Sequence, residues 1–206
     1  MTRPRAWLAV EALAWITAVV CLGGWTYAVV SGHAGRRDDL RRFATLQALQ
    51  GPATADQRLW SPERVRAWAE AKNEATPAPL AVLRIPSVGL EVAILEGTDD
   101  WTLNRALGHI ADTPAPGAPG NSGIAGHRDG FFRCLKDVKV GDPIEVETLR
   151  GVNTYRIEKA WIVAPEDVSV LDPTPRDAVT LVTCYPFYFV GAAPQRFIVR
   201  AVRVGA

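Results

Sequence analysis

The sequence predicts a mainly β fold, either a closed or nearly closed barrel or a sandwich, preceded by a transmembrane helix and a helical stalk. Three observations predict it. Residues 12–30 form an apolar run without a formal charge, residues 31–79 are charged and interrupted by prolines, and from residue 80 onward short apolar runs follow a period of two. Many short strands joined by Gly, Pro and Asn turns are typical of barrels and sandwiches. The predicted regions are therefore a tail (1–11), a membrane helix (12–30), a stalk or linker (31–79) and a β domain (80–206).

The membrane helix is predicted from the length of the apolar run. Nineteen residues at about 1.5 Å each span roughly 28 Å, close to the hydrocarbon core of about 30 Å. Trp7, Trp15, Trp25 and Tyr27 lie towards its ends, where aromatic rings favour the headgroup level. A cleaved signal peptide is the alternative. The run is longer than the usual apolar stretch of about 7–15 residues and no A-x-A site follows it, which favours a retained anchor.

The orientation of this helix does not follow from its flanking charges alone. Two arginines precede the run and four follow it, which by the positive-inside count favours an external N-terminus. A short tail before a signal anchor nevertheless normally stays in the cytoplasm while the large domain is exported. We therefore expect the N-terminus inside the cell.

The stalk contains one clear helix signal. Ser61 and Pro62 supply an N-cap and a proline at the first helical position, and the amphipathic segment 63–73 follows them. Residues 75–79 carry two prolines and form a linker. After them, six strands are predicted from alternating or apolar runs: 80–85, 90–95, 143–148, 155–162, 179–183 and 197–204.

Composition excludes several classes of function. Lys and Arg number 23 against 22 Asp and Glu, so no clustered basic excess is present to bind nucleic acid. No His-x-x-x-His motif or paired cysteine ligands occur, so a zinc hydrolase is not supported. We expect no metal and no cofactor.

Two residues stand out as candidates for nucleophilic chemistry. Cys184 ends an apolar β run, TLVTC, directly before Tyr185-Pro186, and His127 lies in the glycine-rich segment GNSGIAGHRDG. Imidazole accepts a thiol proton and, as imidazolium, stabilises the thiolate. Glycines such as Gly126 let the backbone turn sharply and a substrate chain come close. A buried structural thiol and a satisfied core histidine are the alternatives.

These segments together resemble the sortase family. The resemblance is carried by NSGIAGHRD with His127, by TLVTC with Cys184, and by Arg196 twelve residues later in APQRFIVRA. It extends over residues 80–204, and WSPERVRAW is similar to the stalk of class D-like sortases. The resemblance implies a closed sortase-type barrel of about eight strands outside the cytoplasmic membrane, which agrees with an internal N-terminus.

The resemblance also implies an activity and its residues. It implies a cysteine transpeptidase that cleaves an LPXTG-like sorting signal on protein substrates and transfers them to an amine, on a cell-wall precursor or a pilin lysine. Cys184 would be the nucleophile, His127 the acid and base, and Arg196 the oxyanion donor, a role its position alone does not indicate. Thr183 is expected to assist at the oxyanion, Gly126 to admit substrate, and His109 in LGH to position or line the substrate.

Two other functions are also consistent with the sequence. Another extracytoplasmic Cys-His peptidase and a non-catalytic membrane-tethered peptide-binding barrel both fit part of the pattern. Papain-like enzymes place their cysteine before the histidine, and the Ser-His-Gly-Cys cluster of L,D-transpeptidases is missing. Cys21 lies within the apolar run, and Cys134 is a candidate for a regulatory disulfide with Cys184 outside the cytoplasm. For the Cys-His pair we predict a bell-shaped pH profile of kcat/KM.

Overall fold

The structure, a computed structural model, describes residues 15–23, 57–71, 78–188 and 191–205. The chain divides into two compact units, Met1–Ala44 and Thr45–Ala206, and the strands of the described residues lie in the second. The helices and 3₁₀ segments are α1 (15–23), α2 (Pro62–Ala71), α3 (Asp100–Arg105), and Pro86–Val88, Phe131–Asp137 and Val168–Leu171. The strands are β1 (Ala81–Ile85), β2 (Leu90–Glu96), β3 (Leu107–His109), β4 (Asn121–Ala125), β5 (Pro143–Thr148), β6 (Gly151–Val163), β7 (Ala178–Tyr185) and β8 (Gln195–Arg203).

The predicted membrane helix and stalk are described only in part. Residues 15–23 are helical, whereas 12–14 and 24–30 lie outside the described residues, as do the predicted tail 1–11 and the stalk residues 31–56 and 72–77. Within the described ranges, no helix is long and apolar enough to cross a membrane. The membrane span therefore stays a prediction.

The eight strands close into a barrel in the order β1-β2-β3-β4-β7-β8-β6-β5, with β5 pairing back onto β1. This confirms the barrel and excludes the sandwich. Two neighbouring pairs are parallel, β2 with β3 and β4 with β7. A parallel pair needs a crossover connection, and α3 supplies it between β2 and β3.

The six strands predicted from periodicity are confirmed, with small differences at their ends. Strands β3 and β4 and helix α3 were not predicted. β3 is only three residues long, and β4, with the sequence NSGIA, carries a single large apolar residue, Ile124, so neither gives a period-2 signal. The cap of α2 is as predicted, because the Ser61 hydroxyl accepts the Arg64 N–H at 3.2 Å.

Side chains fill the barrel interior. On β7 and β8 the inward residues are Val179, Leu181, Val199 and Ala201, which belong to one buried core cluster with Phe132, Tyr155 and others. Because side chains alternate along a strand, the residues between them face outward. The outer face of these two strands thus carries Val182 and Cys184 on β7, and Arg196 and Ile198 on β8.

Candidate active site

Cys184 lies near the end of β7 on the outer face of the barrel. Successive side chains of a strand point to opposite faces, and Cys184 lies three residues after the inward-facing Leu181. Its side chain therefore points away from the core. Cys184 is partly exposed, and its thiol is not in a disulfide. The nucleophile candidate therefore sits on a rigid strand at the rim of the barrel, where loops can surround it.

Arg196 is the direct cross-strand partner of Cys184. The antiparallel register of β7 and β8 pairs Cys184 with Arg196, and residues paired in this way project their side chains from the same face. The Arg196 Nη1 donates to the carbonyls of Gln195 at 3.1 Å and Ala193 at 3.4 Å. The guanidinium thus lies at the loop between β7 and β8, next to the thiol strand.

His127 reaches the same rim from the other side of β7. Parallel pairing of β4 with β7 matches Ala125 with Val182, and the Gly126 N–H continues it by donating to the Val182 carbonyl at 3.2 Å. His127 directly follows Gly126, so it leaves β4 beside the end of β7 that carries Cys184. Three adjacent strands therefore bring an imidazole, a thiol and a guanidinium to one end of the barrel.

Burial determines the charge of His127. Desolvation, reinforced by the nearby Arg64 cation, lowers the imidazole pKa to about 4, although Asp129 and Asp100 act in the opposite direction. Its Nε2 atom is buried and has no hydrogen-bond partner among the described residues. At neutral pH the ring is uncharged, and a ring nitrogen without a partner in the folded protein is suited to exchange a proton with a reacting group.

The turn after β4 is closed around the His127 carbonyl. The Gly130 and Phe132 N–H groups donate to the His127 oxygen at 3.2 and 3.3 Å. Gly126 faces the core, where an added Cβ would lie 2.7 Å from a ring carbon of Phe132. Glycine is required there because any side chain would push the His127 segment away from the barrel.

Thr183 and Gly126, predicted to contact substrate or oxyanion, bond to each other. The buried Thr183 Oγ1 donates to the Gly126 carbonyl at 2.7 Å, and the Gly126 N–H donates to the Val182 carbonyl. The hydroxyl proton of Thr183 is therefore directed into the sheet. It locks the strand that carries Cys184 to the residue that precedes His127.

His109 ends β3, where it pairs with Glu96 on β2 and with Ile124 on β4, so β4 separates it from the strand that carries Cys184. Its ring is buried, with Nδ1 3.0 Å from a Glu96 carboxylate oxygen and Nε2 3.1 Å from both the Pro114 carbonyl and Thr113 Oγ1. Thr113 Oγ1 in turn accepts the Gly123 N–H at 3.0 Å. These contacts hold the loop that leads from β3 into β4, which is a positioning role.

Cys134 is placed differently from Cys184. It packs against the core in the 3₁₀ segment Phe131–Asp137, and its thiol donates to the Phe131 carbonyl at 3.2 Å. Burial raises the pKa of the Cys134 thiol to about 12. Both cysteines are free in this structure, and Cys134 has the character of an inert structural thiol.

A buried polar network that the sequence did not reveal supports the outer face of β4 and β7. The Asn121 amide donates to the Val170 carbonyl at 3.2 Å and accepts the Thr180 hydroxyl at 2.6 Å. The Arg200 guanidinium donates to Thr180 Oγ1 at 3.3 Å and also to the Val170 carbonyl. The network holds the 3₁₀ segment Val168–Leu171 against the outer face of β4 and β7.

Metal chemistry finds no support in the described part of the chain, where no three His, Cys, Asp or Glu side chains cluster to hold an ion. The residues at the rim instead offer acyl-transfer chemistry. A thiol can attack a carbonyl, an imidazole can move the proton, and a guanidinium can donate to the oxyanion.

Comparisons with known proteins identify the family. A family model described as the Sortase domain matches residues 83–204. Sortase D of Bacillus subtilis (strain 168) is 36% identical over 141 residues, which cover 66% of this chain and 71% of that protein. The structure of a Clostridium perfringens Sortase D5 transpeptidase matches with a TM-score of 0.57 and 29% identity, over 71% of this chain and 90% of that one.

A further solved structure is similar in the same region. Sortase E1 from Streptomyces coelicolor, described with a tripeptide in the active site, matches with a TM-score of 0.56 and 34% identity over 62% of this chain and 88% of that one. The family model alone matches more than half of the chain. On these matches and on the barrel that carries the site, the chain belongs to the sortase family of cysteine transpeptidases.

Proposed function

We propose that the chain is a membrane-anchored transpeptidase that cleaves an LPXTG-like sorting signal and transfers the protein to an amine acceptor. The observation that carries the proposal is the pairing of Cys184 with Arg196 across β7 and β8, with His127 in the turn that follows β4 on the other side of β7. A relative described with a tripeptide in its active site supports a peptide as the substrate class.

In the first half of the reaction, the Cys184 thiolate attacks the Thr carbonyl carbon of the signal. A C–S bond forms, and the carbonyl electron pair moves onto oxygen, where the Arg196 guanidinium donates hydrogen bonds. When the tetrahedral intermediate collapses, the C–N bond breaks and the His127 imidazolium gives its proton to the leaving amine. A thioester on Cys184 remains, and the C-terminal fragment departs.

In the second half, an amine attacks the thioester carbon. Neutral His127 takes the proton of the attacking amine, the C–S bond breaks, and the new amide leaves. Cys184 returns as thiolate and His127 as imidazolium. The acceptor amine is that of a cell-wall precursor or of a pilin lysine.

The protonation states make the active form scarce. The mechanism needs the imidazolium, but burial holds the His127 pKa at about 4, well below its ordinary value of 6.5. The imidazolium is therefore a minor form at neutral pH, roughly a hundredfold or more scarcer than for an exposed histidine. We infer a slow enzyme whose rate rises when bound substrate favours the charged pair.

The anchor gives the proposed location. Residues 12–30 form the apolar run, and the barrel begins at Ala81, so a single span with its N-terminus inside would hold the catalytic unit outside the cytoplasmic membrane. Fusing alkaline phosphatase to the C-terminus tests this orientation, because the reporter is active only when exported. An inactive reporter, together with an active cytoplasmic reporter at the same position, would contradict it.

Acyl-enzyme formation tests the activity. The full-length protein is incubated with a randomised library of peptides built on LPXTG, and intact-protein mass spectrometry detects the thioester adduct. We expect an adduct that maps to Cys184 and that a small amine removes. Cys184→Ala abolishes it, while Cys134→Ala, the matched control, retains it. A library that yields no adduct on wild type but yields stable non-covalent binding would favour the peptide-binding barrel instead.

A further inference from the structure

The stalk segment that precedes the barrel packs against the His127 turn. We propose that Arg64 and Asp129 are positioning residues for the reaction, because their ion pair fastens helix α2 to the turn that carries His127. The kinetic part of this inference rests on the proposed function, whereas its titration part does not.

Asp129 is held at both carboxylate oxygens by the start of α2. Arg64 Nε donates to Oδ1 at 3.2 Å, and the Ser61 hydroxyl donates to Oδ2 at 3.1 Å. The two side chains are only 17% and 29% exposed, so solvent screens the pair weakly. Burial alone raises the Asp129 pKa, but Arg64 and Ser61 outweigh it and hold the carboxyl below its usual value. The pair is therefore ionised at neutral pH.

Arg64 is itself fixed by further contacts. Its guanidinium also donates to the Asn104 side-chain oxygen on α3. A Cβ added at Gly130 would lie 3.3 Å from Arg64 Cδ, so the aliphatic stem lies directly on the backbone of the turn. Next to it, the Trp60 ring packs edge-on against Phe131 with centroids 4.8 Å apart. Three consecutive residues of the turn, 129–131, thus contact the segment 60–64.

The same turn residues determine where His127 lies. The N–H groups of Gly130 and Phe132 are the donors to the His127 carbonyl. If Asp129 is released, the chain on both sides of Gly130 loses its support, and the hydrogen bonds that orient the His127 backbone weaken. A misplacement of about 1 Å at a catalytic group can reduce the rate about 100-fold.

The Arg64–Asp129 ion pair is called the clamp below. Because both of its members are charged and lie near His127, the clamp should change the His127 pKa, an effect that packing alone would not produce. Burial is the main cause that lowers the imidazole pKa, the Arg64 cation lowers it further, and Asp129 and Asp100 raise it. Arg64→Gln should therefore raise the His127 pKa and Asp129→Asn should lower it. Two variants that break one ion pair are expected to shift the titration in opposite directions.

The titration is measured on the full-length protein by NMR. The chain has three histidines, so the ring C–H signal of His127 is assigned by its loss in His127→Gln. The matched control is Arg66→Gln, which removes an exposed arginine from the same helix. His109 serves as an internal reference for the integrity of the barrel. We expect Arg64→Gln to raise the midpoint, Asp129→Asn to lower it and Arg66→Gln to leave it unchanged.

Measurements of kcat/KM distinguish a positioning role of the Arg64–Asp129 pair from its effect on the charge of His127. A higher His127 pKa enlarges the imidazolium population, so charge alone predicts that Arg64→Gln speeds the reaction. We expect instead that kcat/KM falls about 10- to 100-fold for both Arg64→Gln and Asp129→Asn. Arg64→Lys keeps the cation but lacks the planar fork, so it should lose activity with little change in titration. The substrate is any peptide that forms the Cys184 adduct.

The possible outcomes distinguish the two proposals. If both clamp variants shift the His127 midpoint in the same direction, or not at all, or if Arg64→Gln matches Arg66→Gln in kcat/KM, the clamp proposal is wrong. If no peptide acylates wild type, the proposed function fails, and the opposed NMR shifts still decide whether the clamp acts on His127. Thermal unfolding of each variant verifies that it is folded at the assay temperature.

Discussion

The hydroxyl of Thr183 is the feature whose role sequence and structure assign differently, and Thr183→Val separates the two roles. Valine matches threonine in shape but lacks the hydroxyl. In the structure that hydroxyl donates to the Gly126 carbonyl at 2.7 Å from a fully buried position, with a relative exposure of 2%. Removing it leaves the carbonyl without this donor, in a place that water does not reach.

The expected magnitude follows from the cost of an unsatisfied buried group. Loss of one partner of a buried hydrogen bond costs about 1–3 kcal/mol. For a domain of this size, each kcal/mol lowers Tm by about 2–4 °C. We therefore expect Thr183→Val to unfold at a Tm about 2–12 °C lower, with a moderate loss of kcat/KM because Gly126 leads directly into His127.

Thermal and urea unfolding, together with steady-state kinetics on the same preparations, provide the assay. If Thr183 were instead an oxyanion donor, its loss would reduce kcat by about 100- to 1,000-fold and leave stability unchanged. Thr183→Ser, which keeps the hydroxyl, is the control and should retain most activity. An unfolding free energy for Thr183→Val within 0.5 kcal/mol of wild type would refute the structural reasoning, since about 0.5 kcal/mol is typical of neutral substitutions.

Three further predictions concern a thiol, a buried imidazole and a glycine. Iodoacetamide at pH 8 should alkylate the partly exposed Cys184 and spare Cys134, whose pKa is raised to about 12, until urea unfolds the protein; equal labelling in the native state, read by peptide mass spectrometry, would contradict this. Because the folded His127 pKa is about 4, below the unfolded value of about 6.5, wild type should lose stability relative to His127→Gln as the pH falls from 6.5 to 4; parallel urea curves would disprove it. Gly108→Ala would drive a methyl group into the Gly97 carbonyl oxygen and cost about 3 kcal/mol or more, measured by urea unfolding.

The strands that could be predicted are of two kinds. Some alternate apolar and polar residues, and the others are continuous apolar runs. Pro143–Thr148 alternates cleanly, since Ile144 and Val146 enter the core while Glu145 and Glu147 do not, and the prediction matches β5 residue for residue. In contrast, β4 is buried by close backbone approach. At Gly123 an added Cβ would lie 2.9 Å from a Leu171 methyl, so small residues fill the strand and leave no periodic signal.

The types of reactive residue in the candidate site could be predicted from the sequence, but their spatial arrangement could not. A thiol at the end of an apolar β run and an imidazole among glycines indicate Cys184 and His127 as candidates for reactive groups, whereas Arg196 follows only from the family resemblance. Its pairing with Cys184 depends on a hairpin register that loop length does not determine. Arg64 could not be found at all, because its partner Asp129 lies 65 residues away in sequence and nothing in the stalk composition indicates the contact.

The position of Cys184 also constrains how a peptide can be recognised. The barrel interior is filled by the core, so a substrate must lie on the outer face. There β7 is already paired with β4 on one side and with β8 on the other, so it has no free edge onto which a peptide could add as another strand. The backbone groups of a bound peptide must therefore find partners among side chains and loops. Arg196, a cross-strand neighbour with several fixed donors, is suited to this, and under the proposed function the loops that flank β7 would determine which peptide residues are accepted.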